Sequence, residues 1–342
     1  MKKKILVTGA VGLLGSACAD FFAQKGWEVI GIDNNARSKN LGTKVHWLEM
    51  ELDYKDVKYT GLNVDFTQPQ QVFDLFRAHT FDAVIHAGAQ ASHDWSNDHV
   101  LEDFMANAFG TVLLLEATRK YSPDAVFVQV STDKVYGEDM NTEIREEKTR
   151  FVATKITGFD ESLGLDFAGH RSPFGCSKTT GDIYAQEYAH TFGMKTGIFR
   201  PGCITGKNHE GAELHGFLAY LAKCIRTETP YKIFGFKGKQ VRDQIHAYDL
   251  ANAFWHFIEN PRAGEVYNIG GGPERSVSIL EAIKLIEKET SKKAIHEFHD
   301  LRPGDRIFDV HDVSKFRSHY PKWQYEYSLE DIIKDVCSKD YE

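Results

Sequence analysis

From residue 4 to about residue 200, short β-branched runs take turns with stretches whose apolar residues recur at helical spacing. No other feature constrains the fold as much. "KILVTG", "EVIGID", "GLNVDF", "DAVIHAG", "AVFVQVST" and "TGIFRPG" read as strands. Between them, "GSACADFFAQKG", "PQQVFDLFRAH", "DFMANAFGTVLLLEATRKY" and "KTTGDIYAQEYAHTFG" read as helices. This order predicts an α/β fold with a parallel sheet covered by helices on both faces. The right-handed crossover rule selects the doubly wound, Rossmann-like arrangement. Such sheets take ligands at the carboxyl ends of their strands, so the loops after each run are where function should sit.

Beyond residue 200 the pattern loosens. "FLAYLAKCIRT" and "SVSILEAIKLIEKE" read as helices, with short strands such as "YKIFG" between them. The expected division is a first domain of 1–200 plus 242–270 and a smaller α/β lobe of 201–241 plus 271–342, lying over the ligand edge of the sheet. No internal repeat or long linker is present.

Composition excludes several function classes. The 342 residues are 42% hydrophobic and 26% charged, with a net charge of −8. No basic run follows Lys2–Lys4, which argues against nucleic-acid binding. The apolar stretch after those lysines is broken by glycines and reads as a strand rather than a signal peptide. No run reaches the roughly 18 apolar residues that a membrane span needs. The five cysteines (Cys18, Cys176, Cys203, Cys224, Cys337) are scattered, which fits reduced thiols in a cytoplasmic protein.

"VTGAVGLLGS" closes the first strand and opens a helix, with Gly9, Gly12 and Gly15 spaced G-x-x-G-x-x-G around Val11 and Leu13. Glycines at these places allow a tight turn and close approach of backbone N–H groups to a pyrophosphate. Asp33 ends the second strand, where a carboxylate meets the adenosine ribose of NAD, with Asn34 beside it. Arg37 is placed to hold a 2′-phosphate instead. Asp65 and Phe66 follow the third strand, where Asp65 either meets adenine or caps a helix. Ala87, Gly88 and Ala89 form a small-residue loop that lets a cofactor pass, ending at Gln90. His86 alone reads as a packed histidine.

"STDKVYG" follows the next strand, so Ser131 and Thr132 offer hydroxyls to a nicotinamide or a sugar. Lys178 lies on one helix face with residue 174 and can reach ribose hydroxyls while lowering the pKa of a neighbouring acid–base group.

Together with "FRPG", "KQVRDQIHAYDL" and "VYNIGGG", these motifs resemble the extended short-chain dehydrogenase/reductase family acting on nucleotide sugars. "AQASHDWSND", "GFDESLGLDF", "SPFGCSK", "GAELHGFLAYLAKC" and "GKQVRDQIH" are similar to its CDP-paratose (CDP-tyvelose) 2-epimerase group. The resemblance covers essentially the whole chain. It implies a retained NAD, hydride removal from a sugar carbon and return to its other face, and a homodimer or higher oligomer. It implies cofactor contacts from the glycine turn, Asp33, Asp65, the 87–89 loop, Ser131, Lys178 and Pro201. Asn107 would support the catalytic loop, and Thr132 would bond the reacting hydroxyl. Gln90, His93, Lys134, Arg242 and Arg302 would meet a nucleotide-sugar, a CDP-hexose in this group.

One residue departs from the pattern. Phe174 stands where the family carries its catalytic tyrosine. An engineered trap, a natural variant with another proton carrier, or a non-catalytic binding protein would each account for it. Candidate replacements are Cys176, His93, Asp94, Asp133, Lys134, Tyr136 and His170. Asp133 and Lys134 also fit a nucleotide-sugar 4,6-dehydratase. "HEFH" at 296–299 lacks the spacing and third ligand of a metal site, so no metal is expected. No G-x-S-x-G elbow supports a serine hydrolase.

Overall fold

Ile5, Leu6 and Val7 have no exposed surface, as a strand sandwiched between two helical layers requires. They belong to the first element of a computed structural model that describes residues 2–36, 38, 59–137, 142–165, 169–213, 216–302 and 305–339. The chain divides into two compact units. The first comprises Met1–Val135, Ser172–Arg200 and Leu250–Tyr267; the second comprises Tyr136–Arg171, Pro201–Asp249 and Asn268–Glu342.

The first unit is built on β1 (Lys4–Thr8), α1 (Leu13–Gln24), β2 (Glu28–Asp33), β3 (Tyr59–Asn63), α2 (Pro69–Ala78) and β4 (Ala83–His86). A short helix Trp95–Asp98, α3 (Val100–Phe104), a π-helical turn Met105–Phe109 and α4 (Gly110–Tyr121) follow. Then come β5 (Val126–Val130), α5 (Ser172–Phe192), β6 (Lys195–Pro201), α6 (Ala247–Glu259) and β7 (Glu265–Ile269).

Among the described residues these strands form one sheet in the order β7-β6-β5-β4-β1-β2-β3. Every pair from β3 to β6 is parallel. Strand order reverses between β1 and β4, which makes their carboxyl ends the expected ligand crevice. On one face Leu6, Ile30, Val84, Phe127 and Ile198 share a core with Val72, Leu75, Leu114 and Ala185. On the other, Phe21, Phe22, Trp27 and Trp255 meet edge-on at 5.5–6.5 Å between ring centres. A Cβ on Gly197 would come within 2.3 Å of the Phe257 ring, so the strand is bare there to admit the aromatic.

In the second unit Val241–His246 is the central strand. It pairs with Cys203–Thr205, Ser276–Ser278 and Phe308–Asp309. Tyr231–Phe234 pairs in parallel with His296–His299. Helices Phe217–Arg226, Ile279–Thr290 and Leu329–Cys337 bring Leu221, Ile225, Ile283, Ile286, Ile332 and Val336 into one core. Ser278 and Ser328 start two of these helices with reciprocal capping boxes.

The doubly wound sheet is the one expected, with differences in detail. Residues 136–171, 242–249 and 268–270 belong to the second unit, because Val241–His246 finds its strand partners there. The segment expected as one helix over 103–121 contains the π turn. Ser276–Ser278, read as the start of a helix, is a strand that ends at the Ser278 cap. Helix α5 starts at Ser172, ahead of the lysine where its apolar pattern begins. None of the described helices is long and apolar enough to cross a membrane.

Candidate active site

The glycine turn has the geometry its spacing implies. Gly9 holds a φ of +67°, and a Cβ on it would lie 2.7 Å from the Gly88 Cα. A Cβ on Gly15 would lie 2.0 Å from the Gly9 carbonyl oxygen. The loops after β1 and β4 therefore touch backbone to backbone, which only glycine permits. Gly12 is the N-cap of α1, and no side chain caps that end. The helix terminus is thus open to an anion from outside. Asp33 is gripped by backbone donors, from Asn35 N at 2.8 Å and Val11 N at 3.3 Å. Burial raises its pKa against the opposing pull of those hydrogen bonds.

Beside Asp33, the Tyr59 hydroxyl and the Asn35 Oδ1 are buried with no hydrogen-bond partner. Burial first, then the Asp33 charge, pushes the Tyr59 pKa up to about 12, so it remains a donor. A glycine cradle next to orphaned polar atoms fits the ribose and pyrophosphate of a dinucleotide. Tyr59 was not foreseen; an isolated tyrosine opening a strand carries no local signal. Arg37 lies outside the described residues.

A directed hydrogen-bond chain fixes the loop after β4. Thr111 Oγ1 donates to the Asn107 carbonyl at 2.7 Å and so accepts from His86 Nε2 at 3.1 Å. Burial, and next the Lys178 charge, hold the His86 pKa down to about 3, so its Nδ1 accepts from Thr8 Oγ1 at 2.7 Å. Thr8 Oγ1 in turn accepts from Gly88 N at 2.9 Å. His86 is the packed histidine expected, and its tautomer is set by its neighbours.

Gln90 and Asn107 exchange two bonds, Gln90 N to Asn107 Oδ1 at 3.0 Å and Asn107 Nδ2 to Gln90 O at 2.9 Å. The Gln90 side chain also donates to Ser92 O and to Asp103 Oδ1. Its carboxamide is thus engaged inside the protein rather than turned to a ligand. Asn107 supports the loop and sits in the π turn, a helical irregularity common at functional sites. Asp65 Oδ1 accepts from both N and Oγ1 of Thr67, the capping alternative, and Phe66 packs edge-on against His86 in the core.

At the end of β5, Ser131 Oγ donates to Asp182 at 2.6 Å, and Arg200 forks onto the same carboxylate with two 2.8 Å bonds. Thr132 Oγ1 donates to Asp133 Oδ1 at 3.0 Å, and Lys134 Nζ lies 3.6 Å from Asp133 Oδ2. Hydroxyl, carboxylate and ammonium are therefore contiguous over three residues. The buried Lys178 donates to the Val130 carbonyl at 2.5 Å. Burial lowers its pKa to about 8, while Asp182 and then Asp103 pull it upward.

Phe174 is buried, and its backbone N donates to Ser96 Oγ at 3.2 Å. Ser172, two residues before it and preceding a proline, holds a φ of +61°. That left-handed conformation at the helix start is strained and persists because packing enforces it.

The remaining candidates each have their own surroundings. His93 Nδ1 and Asp94 Oδ1 are 3.7 Å apart, beyond hydrogen-bond reach. Cys176 is exposed and forms no disulfide. In the second unit Tyr136 donates to Asn268 at 2.6 Å, a structural bond, and His170 is exposed. Arg242 is held there by Asp305 and by the carbonyls of Val241 and Arg306. Arg302 stacks on Phe234, 3.6 Å from its ring centre. Pro201 ends β6. Asp103, Ser177, Asp182 and Arg200 were missed, because their roles depend on contacts between distant segments.

The chain with this glycine cradle at the switch point, an acidic residue ending β2 and a Thr–Lys edge is similar to known proteins. The model of the NAD dependent epimerase/dehydratase family matches residues 5–270. The chain is 32% identical to the CDP-paratose 2-epimerase of Salmonella typhi, over 97% of this chain and 98% of that protein. It is 27% identical to a dTDP-glucose 4,6-dehydratase of Escherichia coli, over 97% and 92% respectively. The solved UDP-glucose 4-epimerase of Thermus thermophilus, in complex with NAD, has the same fold, with a TM-score of 0.79 at 24% identity and 98% of each chain covered. On the family match across most of its length and the full-length likeness to a curated relative, the chain belongs to the NAD dependent epimerase/dehydratase family.

Proposed function

We propose that the protein is an NAD-dependent nucleotide-sugar epimerase that inverts C2 of a CDP-hexose. The observation that supports the reading is the run of groups at this edge: Thr132, Asp133 and Lys134 adjoin one another after β5, Lys178 donates to the last carbonyl of that strand, and Phe174 precedes Lys178 by one turn of α5. The choice of sugar leans on the likeness to the CDP-paratose 2-epimerase. Bound NAD supplies the hydride acceptor and donor. The glycine turn and Asp33 bind it, and Lys178 bonds its ribose. Thr132 orients the reacting sugar hydroxyl, and the Asp133 carboxylate, beside Lys134, accepts that hydroxyl's proton and returns it. Arg302 is the candidate for the nucleotide.

Incubation with CDP-sugars in deuterated water tests the reading. Inversion at one carbon with little deuterium uptake and no net redox change is expected. Solvent deuterium in the product together with loss of water would instead establish a 4,6-dehydratase, the reading that the adjacent Asp133 acid and Lys134 base favour. Absence of turnover with every CDP-sugar, alongside NAD retention, would make the chain a binding protein.

The proposal includes a homodimer and a cytoplasmic location, the latter supported by five cysteines of which none forms a disulfide. On α3, the π turn and the neighbouring α5, Leu101 is 77% exposed and Val100, Phe104, Met105, Ile183 and Tyr184 are 40–49% exposed. An apolar face of this kind on paired helices fits a second copy of the chain. Leu101→Glu should convert the dimer to a monomer by light scattering; a wild type that is monomeric at all concentrations refutes the assembly.

A further inference from the structure

Asp103 is a fully buried carboxylate in α3 that no motif singled out. Ser177 Oγ donates to its Oδ2; Gln90 Nε2, at 2.8 Å, and Asn107 Nδ2, at 3.1 Å, donate to its Oδ1. Those donors come from the loop after β4, the π turn and α5, and all three are neutral. Asp182, the other carboxylate near Lys178, is in a different position, because the Arg200 guanidinium already matches its charge with two bonds. His86, on β4, is neutral and supplies no counter-charge. Asp103, bonded to Ser177 next to Lys178 on α5, is therefore a carboxylate whose bonds here come from neutral donors only.

We propose that Asp103 is a positioning residue of the reaction edge, tying the loop after β4 to α5 through Gln90, Asn107 and Ser177 while supplying the counter-charge of the Lys178 ammonium. The idea rests on the reading that Lys178 serves the cofactor. It adds a reason for Lys178 to stay charged at neutral pH despite a burial that favours the neutral amine. Burial raises the Asp103 pKa against the bonds from Ser177 and Gln90 and the Lys178 charge, and Asp103, after Asp182, pulls the Lys178 pKa upward.

The test reads the lysine directly. Protein labelled with ¹³C at lysine Cε is titrated by NMR, and the Lys178 signal is identified by its loss in Lys178→Met. In wild type the signal should titrate near pH 8. In Asp103→Asn, which keeps the shape and an acceptor, the midpoint should fall by about one pH unit. In Ser177→Ala, which removes a hydrogen bond but no charge, it should stay within a few tenths of a unit. A purely structural role predicts an unmoved midpoint in Asp103→Asn, and that result overturns the proposal.

If Asp103→Asn does not fold, Asp103→Glu decides. Keeping the charge, it must keep the wild-type midpoint, and a fall refutes the assignment. NAD+ affinity measured in parallel by tryptophan fluorescence should decline along the same alkaline midpoint. A wild type that binds no NAD+ at any pH would overturn the cofactor reading, while the NMR midpoints still decide the charge pairing.

Discussion

Gly15→Ala puts one methyl group where the backbone has no room. The new Cβ would start 2.0 Å from the Gly9 oxygen, 2.6 Å from the Gly9 carbonyl carbon and 2.9 Å from the Ala10 Cα. Ordinary contact begins at 3.4 Å, so β1 and α1 must separate by about 1.4 Å. None of the three obstacles is a side chain that could swing aside. The separation carries the first N–H groups of α1 away from the place of the pyrophosphate. Losing one charge-assisted hydrogen bond there costs about 1.5–3 kcal/mol, a ~10- to 100-fold loss of NAD+ affinity. Overpacking adds ~1–3 kcal/mol to the stability loss.

Gly26→Ala is the control. Gly26 has a φ of +83° but nothing within 4 Å of where a methyl group would sit, so alanine there strains the backbone by ~1–2 kcal/mol without touching the turn. Calorimetric NAD+ titration, with circular dichroism to establish folding, separates the two. Folded Gly15→Ala that binds NAD+ within threefold of wild type, or Gly26→Ala that weakens binding equally, would refute the steric account.

With Asp133 carrying the proton, Phe174→Tyr should leave sugar-dependent NADH formation, read at 340 nm, within about tenfold of wild type; a gain of ~10²–10⁴-fold would show that a tyrosine hydroxyl was the absent proton carrier and would refute the Asp133 assignment. Asp182→Ala strands the buried Arg200 guanidinium and should destabilise the fold by ~3–5 kcal/mol in urea titration, whereas a loss below 1 kcal/mol would show that water replaces the carboxylate. Burial holds the Lys178 pKa near 8, below its ordinary 10.5, so the folded state binds fewer protons between those values. Its penalty is fully present below pH 8 and is relieved as the pH rises toward 10.5. The unfolding free energy of wild type relative to Lys178→Met should therefore climb by ~3 kcal/mol across that window, and a flat difference in denaturant titrations counts against the burial argument.

Much of the first unit was legible because its determinants are local. β-branched runs, glycine spacing and helical periodicity act within a few residues, and they located the sheet, the turn and the Thr132 edge. What escaped is set by pairing at long range. Ser177 meets Asp103 across 74 positions, and Val241–His246 follows its strand partners rather than its place in the sequence. Gln90 reads as a polar residue facing a ligand because its loop is right, yet Asp103 and Ser92 claim its side chain. That position 174 carries no hydroxyl was visible at once, since this is a property of the residue itself.

The π turn at Met105–Phe109 has a consequence for how this helical segment tolerates change. The wide turn absorbs one residue beyond regular pitch, so deleting one residue there would restore an ordinary helix and keep the faces on either side nearly in register. One residue removed from the regular helix that follows, Gly110–Tyr121, would instead turn everything before it by about 100°, swinging Asp103 toward solvent and the apolar side chains at 100, 101 and 104 off the outer surface. The place of a deletion, rather than its size, would thus decide whether the interior carboxylate and the sticky exterior survive together.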